Sequence, residues 1–194
     1  MRKIATMFVR NPEDRRYVLP EVTPGCEWVM AGEGVATRKY DGTCVMFDGT
    51  EWWARREVKP GKTPPPGYVA LSTDDVTGRT VGWEPIGQSS FKAFHARAAM
   101  TCESWPVGTY ELCGPRINGN PEAVDRDVLY RHATAEQVRE DGFSLGTEED
   151  GRCIDGIQHF LKLHRWEGLV FHRNPGDPNT EMAKIKARDF PGSL

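Results

Sequence analysis

No stretch of the 194 residues is apolar for long enough to span a bilayer. The basic start, Met1-Arg2-Lys3, is followed by a short apolar run before Arg10, too short for the core of a secretory signal. Cysteine is sparse and unpatterned. The five, Cys26, Cys44, Cys102, Cys113 and Cys153, are odd in number and scattered, with no C-x-x-C pair and no Cys/His spacing suited to zinc. Neither charge sign dominates: 25 Lys and Arg face 28 Asp and Glu, for a formal charge of −3, so any basic surface is a local patch. Internal repeats are missing, and biased composition is confined to the Pro-rich 59–67. These absences argue against a membrane span, a disulfide scaffold, a zinc module and a globally basic nucleic-acid binder. They lead us to expect a soluble cytoplasmic protein with reduced thiols and one domain over 1–194, of undefined oligomeric state, with no membrane partner.

What is present reads as short strands rich in Val, Thr and aromatics, bounded by Gly or Pro: 26–31, 43–48, 51–56, 67–72, 107–114, 168–173 and 182–188. Phe47-Asp-Gly-Thr-Glu-Trp52 is a hairpin signal, and 59–67 is a loop because its prolines fit neither a paired strand nor a helix interior. Ser89 or Ser90 is placed to cap a helix carrying Phe91, Phe94 and Ala98 on one face. Asn120-Pro-Glu122 resembles a helix start, and Thr134 to Gln137 has capping-box spacing. Ile154, Ile157, Phe160 and Leu161 make a helical stripe ending near Trp166. The expected class is α+β, dominated by antiparallel strands.

One short motif raises a chemical question. Lys39-Tyr-Asp-Gly42 contains an Asp-Gly pair, which by itself is ordinary hairpin chemistry with Lys39 as a strand-end cation. By composition K-x-D-G arises by chance about once in 20 chains of this length. The ordered series of segments downstream of it carries more weight: "WAR" with Arg55, "YELCG" with Glu111, "EGLVF" with Glu167, and "AKIK" with Lys184 and Lys186.

This series resembles the covalent nucleotidyltransferase superfamily of ATP-dependent nucleic-acid ligases and capping enzymes, and it covers 39–186. "KYDGT" looks like motif I, "WARREVKP" like motif Ia, "GTYELCG" like motif III, "EGLVF" like motif IV and "KIK" like motif V. DNA ligases and capping enzymes usually carry Arg two residues after the motif I glycine, whereas Thr43 and Cys44 follow Gly42 here. "KYDGTC", "WARREVKP" and "ELCGPRINGNPE" are similar to a small stand-alone RNA ligase family that joins 5′-phosphate to 3′-hydroxyl ends. The resemblance implies an adenylation domain of mainly antiparallel sheets with a few flanking helices. Most of the superfamily adds an OB-fold or other C-terminal domain, whereas this sequence runs only eight residues past Lys186, so we expect no OB-fold.

What the resemblance implies for each residue has a physical reason. Lys39 would be the nucleophile that takes AMP from ATP, since an amine attacks phosphorus only when neutral and nearby cations lower the cost of losing its proton. Lys184 and Lys186, two apart on one strand, would supply those cations and bind the α-phosphate oxygens. Glu167 would hold Mg²⁺, or Mn²⁺ in its place, directly or through water. Glu111 would accept from a ribose hydroxyl, and Arg55 would take ribose or the incoming 5′-phosphate. Asp41 would organise the turn. Tyr130 or His132 would stack on adenine, and the resemblance does not choose between them.

Alternatives stand beside this reading. Lys184 and Lys186, alternating with apolar neighbours, also suit an ordinary half-exposed strand. Trp52 and Trp53 read as packing residues, and His95, His159, His164 and His172 as structural or surface histidines without ligand spacing. The competing functions are GTP-dependent capping guanylyltransfer, disfavoured by Thr43-Cys44, and a non-catalytic module that binds RNA ends or nucleotide. With RNA ends and ATP as the expected partners, basic stretches at 10–16, 55–62 and 161–165 are candidates for gripping RNA.

Overall fold

The computed structural model describes residues 4–138, 153–175, 177 and 180–192. The strands are β1 (Ala5–Thr6), β2 (Phe8–Arg10), β3 (Val18–Val22), β4 (Val35–Lys39), β5 (Thr43–Phe47), β6 (Trp52–Val58), β7 (Val69–Thr73), β8 (Thr80–Pro85), β9 (Gly108–Cys113), β10 (Val128–Arg131), β11 (Gly168–His172) and β12 (Met182–Lys186). The helices are α1 (Glu27–Met30), α2 (Lys92–Ala99) and α3 (Ile154–His164). The fold is α+β with mostly antiparallel sheets. No helix among the described residues is long and apolar enough to cross a membrane. The chain forms two compact units: Asp41–Thr134 makes one, and the described residues before Asp41 and after Thr134 make the other.

In the Asp41–Thr134 unit a six-stranded antiparallel sheet runs in the order β10-β9-β5-β6-β8-β7. Alternation places Val45, Tyr110 and Leu112 on its core face, each at most 1% exposed. Ala98 of α2 and the half-buried Phe91 and Phe94 close over that face with Trp52 and Trp105. Trp52 is thus a core residue, ringed by Phe47, His95, Trp105 and Tyr110 at centroid distances of 4.5–5.8 Å. The β5–β6 hairpin forms as expected. The Asp48 carboxylate accepts from the N–H groups of Thr50 and Glu51, each at 2.8 Å, and Gly49 turns the chain at φ +103°.

The other unit carries a four-stranded sheet, β1-β12-β11-β4, in which β1 runs parallel to β12 and the other pairs are antiparallel. Leu169, Phe171, Ala183 and Ile185 are fully buried on its core face. Each large apolar side chain so buried contributes about 1.5–3 kcal/mol. α3 covers this core with Ile157, Phe160 and Leu161, the stripe expected from the sequence, and Arg165 ends it in the left-handed region. β2 and β3 pair separately as a two-stranded ribbon.

Several elements differ from expectation. Residues 26–31 contain a turn of helix, not a strand: Trp28 and Val29 are adjacent and both buried, and the Ala31 N–H closes onto Glu27 O at 3.0 Å. α2 begins one residue later than a serine cap would place it. Phe91 is its N-cap, with no side chain capping it, and Ser89 Oγ accepts from the Phe91 N–H instead. No helix starts at Asn120, which sits at φ +59° while its side chain bridges to the backbone of Val124. None begins at Thr134 either within the residues described. Gln137 instead forms an antiparallel bridge with Thr37, and 139–152 lie outside the described residues.

His95 links this packing to pH. It is 5% exposed and edge-on to Trp52, and its Nε2 has no hydrogen-bond partner among the described residues. Burial pushes its pKa below the ordinary 6.5. The unfolded chain therefore takes up this proton at higher pH than the folded one, so stability falls as pH drops through about 6.5. Thermal unfolding at pH 7.5 and 5.5 should show a loss in the wild type, and His95→Phe should shrink it. Equal losses in both proteins would show that His95 does not couple folding to pH.

Candidate active site

Lys39, the last residue of β4, lies directly across from Gly168 at the start of β11, and Gly168 lies across from Lys186 on β12. Two residues along, Thr37, Val170 and Lys184 align in the same way. With Ala36, Leu169, Phe171, Ala183 and Ile185 on the core face, alternation turns Thr37, Lys39, Lys184 and Lys186 to the other one. The lysines therefore leave the core intact.

Glu167, one residue before β11, reaches between its neighbours. Its Oε2 accepts from Lys39 Nζ and its Oε1 accepts from Lys186 Nζ at 2.5 Å. All three side chains are mostly buried, with Lys39 at 22%, Lys186 at 17% and Glu167 at 11% exposure. The Glu167 carbonyl also accepts from the Ala187 N–H at 2.8 Å, so its backbone is tied to the end of β12. Asp189 secures that end from below: its Oδ2 accepts from the Lys186 N–H at 2.9 Å and its Oδ1 from Arg10 Nη2 at 2.8 Å. Thr37 Oγ1 donates to Val170 O at 3.1 Å and contacts His172 Nε2 at 3.2 Å, which cross-links the same face.

Gly168 makes the trio possible. A Cβ there would stand 2.2 Å from Ile185 O and 3.0 Å from the Lys186 Cα, both backbone atoms that cannot move aside. Sequence reasoning used this residue only as a strand boundary and missed its role, and Asp189 was missed as well. The local signals were present, in a glycine just after the acidic residue of "EGLVF" and in the short Lys-x-x-Asp spacing of 186–189.

The remaining anticipated residues lie in the Asp41–Thr134 unit, on one face of its sheet. Glu111 pairs across strands with both Cys44 and Tyr130. Glu111 Oε1 accepts from the Gly42 N–H at 3.1 Å, while Oε2 contacts His132 Nε2 at 3.1 Å. His132 Nδ1 in turn contacts Thr109 Oγ1 at 2.9 Å. Through its Oε2 contact Glu111 orients the His132 ring. Arg55 alternates with the buried Ala54 on β6, which puts it on the Glu111 face. Trp53, also there, donates from Nε1 to Asp48 at 2.8 Å.

The Lys39–Gly42 segment is not a hairpin turn. β4 and β5 belong to different sheets, and the segment carries the chain from one to the other. Gly42 is not needed for a positive φ, because it does not adopt one; a Cβ at this position would meet Leu112 O at 2.3 Å. Asp41 does organise the segment, with its carboxylate and the Gly42 carbonyl both accepting from Asn118 Nδ2.

No protein-family profile matches the chain, and no curated protein matches it. The chemistry is therefore argued from the side chains. Two lysine side chains share the Glu167 carboxylate, and a third, Lys184, lies on the same face of the sheet. Among the described residues no group of three or more His, Cys, Asp or Glu is arranged to hold a metal by itself. A single carboxylate still fits Mg²⁺, which commonly binds through one or two carboxylates together with substrate phosphates and water. Glu167, the carboxylate shared by Lys39 and Lys186, would be that group.

Gly168→Ala should cost stability at or beyond the upper end of the roughly 1–3 kcal/mol typical of overpacking. Gly87→Ala, where a Cβ meets nothing within 4 Å, is the control. Denaturant midpoints check this; a Gly168→Ala midpoint equal to that of the control would show that β11 and β12 can separate freely.

Proposed function

We propose that the protein is an ATP-dependent RNA ligase with a nucleotidyltransferase fold, joining 5′-phosphate to 3′-hydroxyl ends in the cytoplasm through a lysyl-AMP intermediate. The observation that carries the proposal is the meeting of Lys39, Glu167 and Lys186, which come from three separate strand ends, at one carboxylate. A structural ion pair needs one lysine. Two lysines with a third beside them suit a substrate rich in negative charge. The order of the five motif-like segments supports the same reading.

In the first step the Lys39 Nζ lone pair attacks the α-phosphorus of ATP, the bond to the bridging oxygen breaks, and pyrophosphate leaves. Lys39 must lose a proton to do this, and Glu167 Oε2, already accepting from Nζ, is placed to receive it. Lys184 and Lys186 stabilise the charge that builds on the α-phosphate oxygens. Mg²⁺ held by Glu167 would supply Lewis-acid polarisation of the phosphates. In the second step an oxygen of the RNA 5′-phosphate attacks the adenylyl phosphorus, the P–N bond breaks, and the Lys39 amine is restored. In the third the RNA 3′-hydroxyl attacks the 5′-phosphate phosphorus and AMP departs. In this reading His132, oriented by Glu111, stacks on adenine, and Arg55 serves ribose or 5′-phosphate.

Intact mass after incubation with ATP and Mg²⁺ should rise by one AMP, and GTP should give no adduct. A GMP adduct instead would mark a capping enzyme, and no adduct from either nucleotide would leave a binding module. Lys39→Ala and Lys39→Arg should both lose the adduct, the second because guanidinium stays protonated. A normal adduct in either variant would move the nucleophile elsewhere. Lys186→Ala should slow adduct formation by about 10²–10³-fold, the usual cost of one lost transition-state contact.

Sealing should also demand ribose more strictly at the joining 3′ end than at the 5′-phosphate end. A 2′-hydroxyl beside the attacking oxygen both donates and accepts, whereas the 5′-phosphate is gripped through charge. Four substrates with ribose or deoxyribose at each terminal nucleotide test this, and equal sealing of all four would indicate a general polynucleotide ligase.

A further inference from the structure

A cleft of about 840 Å³ opens beside β12, and Lys184 and Lys186 belong to its wall. The rest of the basic wall is Arg10 at the end of β2, Arg15 and Arg16 in the β2–β3 connection, and Arg188 in the turn after β12. Six basic side chains thus face one lining carboxylate, Asp189, in a chain whose formal charge is −3. Asp189 is 3% exposed and already engaged by Arg10 and the Lys186 N–H, so its charge is spent on the architecture. Arg16 is held by Asp14, with Nη2 2.7 Å from Oδ2. Arg15 and Arg188 are exposed and have no ion-pair partner among the described residues. Tyr17, with the Arg16 guanidinium 5.4 Å from its ring centroid, adds an aromatic face.

We propose that this cleft is the track along which the 5′-phosphorylated RNA strand lies on its way to Lys39. The proposal rests on the ligase reading and names where that enzyme holds its nucleic acid. Three features favour a strand over a lone anion. The cleft volume falls in the range of about 300–1,000 Å³ that encloses whole organic ligands, far above the need of one phosphate group. Its cations come from two separate stretches of chain, 10–16 and 184–188, so the positive charge is spread along the wall to match serial phosphates. Tyr17 offers a surface on which a base can stack. The shared chemistry, anionic phosphate esters in series, also describes the triphosphate tail of ATP, and the test separates the two.

Arg15→Ala, Arg188→Ala and the double variant remove exposed side chains, and matching thermal unfolding to wild type confirms their folding. Binding of a fluorescent 5′-phosphorylated single-stranded RNA is read by anisotropy without ATP over a series of salt concentrations. The ATP dependence of adduct mass is read separately. Each single substitution should weaken RNA binding about tenfold, the size of one lost charge-assisted hydrogen bond, and lower the salt slope by about 1. The ATP concentration giving half-maximal adduct should not move. Arg79→Ala, whose guanidinium pairs with Glu57 in the other unit, is the charge control and should bind RNA as wild type does.

Wild-type RNA affinity in the double variant would overturn the proposal, as would no RNA binding by the wild type. A rise in the ATP requirement with RNA binding unchanged would also overturn it and assign the cleft to the triphosphate. A protein that binds RNA through these arginines but forms no adduct would keep the track and remove the ligase. Adduct formation with RNA binding indifferent to both arginines would do the reverse.

Discussion

One carboxylate with an ammonium on each oxygen organises the unit that holds the motif lysine. Removing such a group from water costs several kcal/mol, which attraction repays only when partners and geometry are good. At Glu167 the partners come from the two strands flanking β11, with Lys39 on one side and Lys186 on the other. A one-residue slip of β12 would turn Lys186 toward the core and Ile185 or Ala187 toward the carboxylate, and a slip of β4 would turn Lys39 toward the core. The apolar face opposes that slip, because Leu169, Phe171, Ala183 and Ile185 would each lose burial. Core and polar site therefore enforce the same register from opposite faces of one sheet.

The Asp41–Thr134 unit uses a related device with different chemistry. Glu111, at 9% exposure, divides its two oxygens between a backbone N–H and a histidine ring. The Gly42 contact ties the motif segment to β9, where a side chain at residue 42 would strike Leu112 O. In both units a glycine lets backbones approach closely enough for a carboxylate to hold two partners. Gly42 and Gly168 are selected by space rather than by φ.

The elements that periodicity revealed are those whose buried residues are close in sequence. The α3 stripe and the β12 alternation are of this kind, and both formed where expected. β1 to β4, β8 and β10 lie outside the strands expected from the sequence; β1 and β2 are only two and three residues long, and Pro20 and Pro85 argue locally against pairing in β3 and β8. Asn120-Pro-Glu and Thr134 to Gln137 show the opposite error. The Asn120 side chain bonds the Val124 backbone within a turn, and Gln137 bridges to Thr37.

The sequence by itself determined which side chains share a face, because a period of two along a strand follows from backbone geometry alone. It also determined that the chain lacks apolar runs and zinc spacing. Only the tertiary structure decided that Lys39 and Lys186, 147 positions apart in the numbering, meet at Glu167, and that His132 meets Glu111. It alone also placed Arg15 and Arg188 in one cleft. Strand pairing is set by the burial of many residues at once. Which distant side chains meet is therefore a property of the whole sheet, written in no local stretch of the chain.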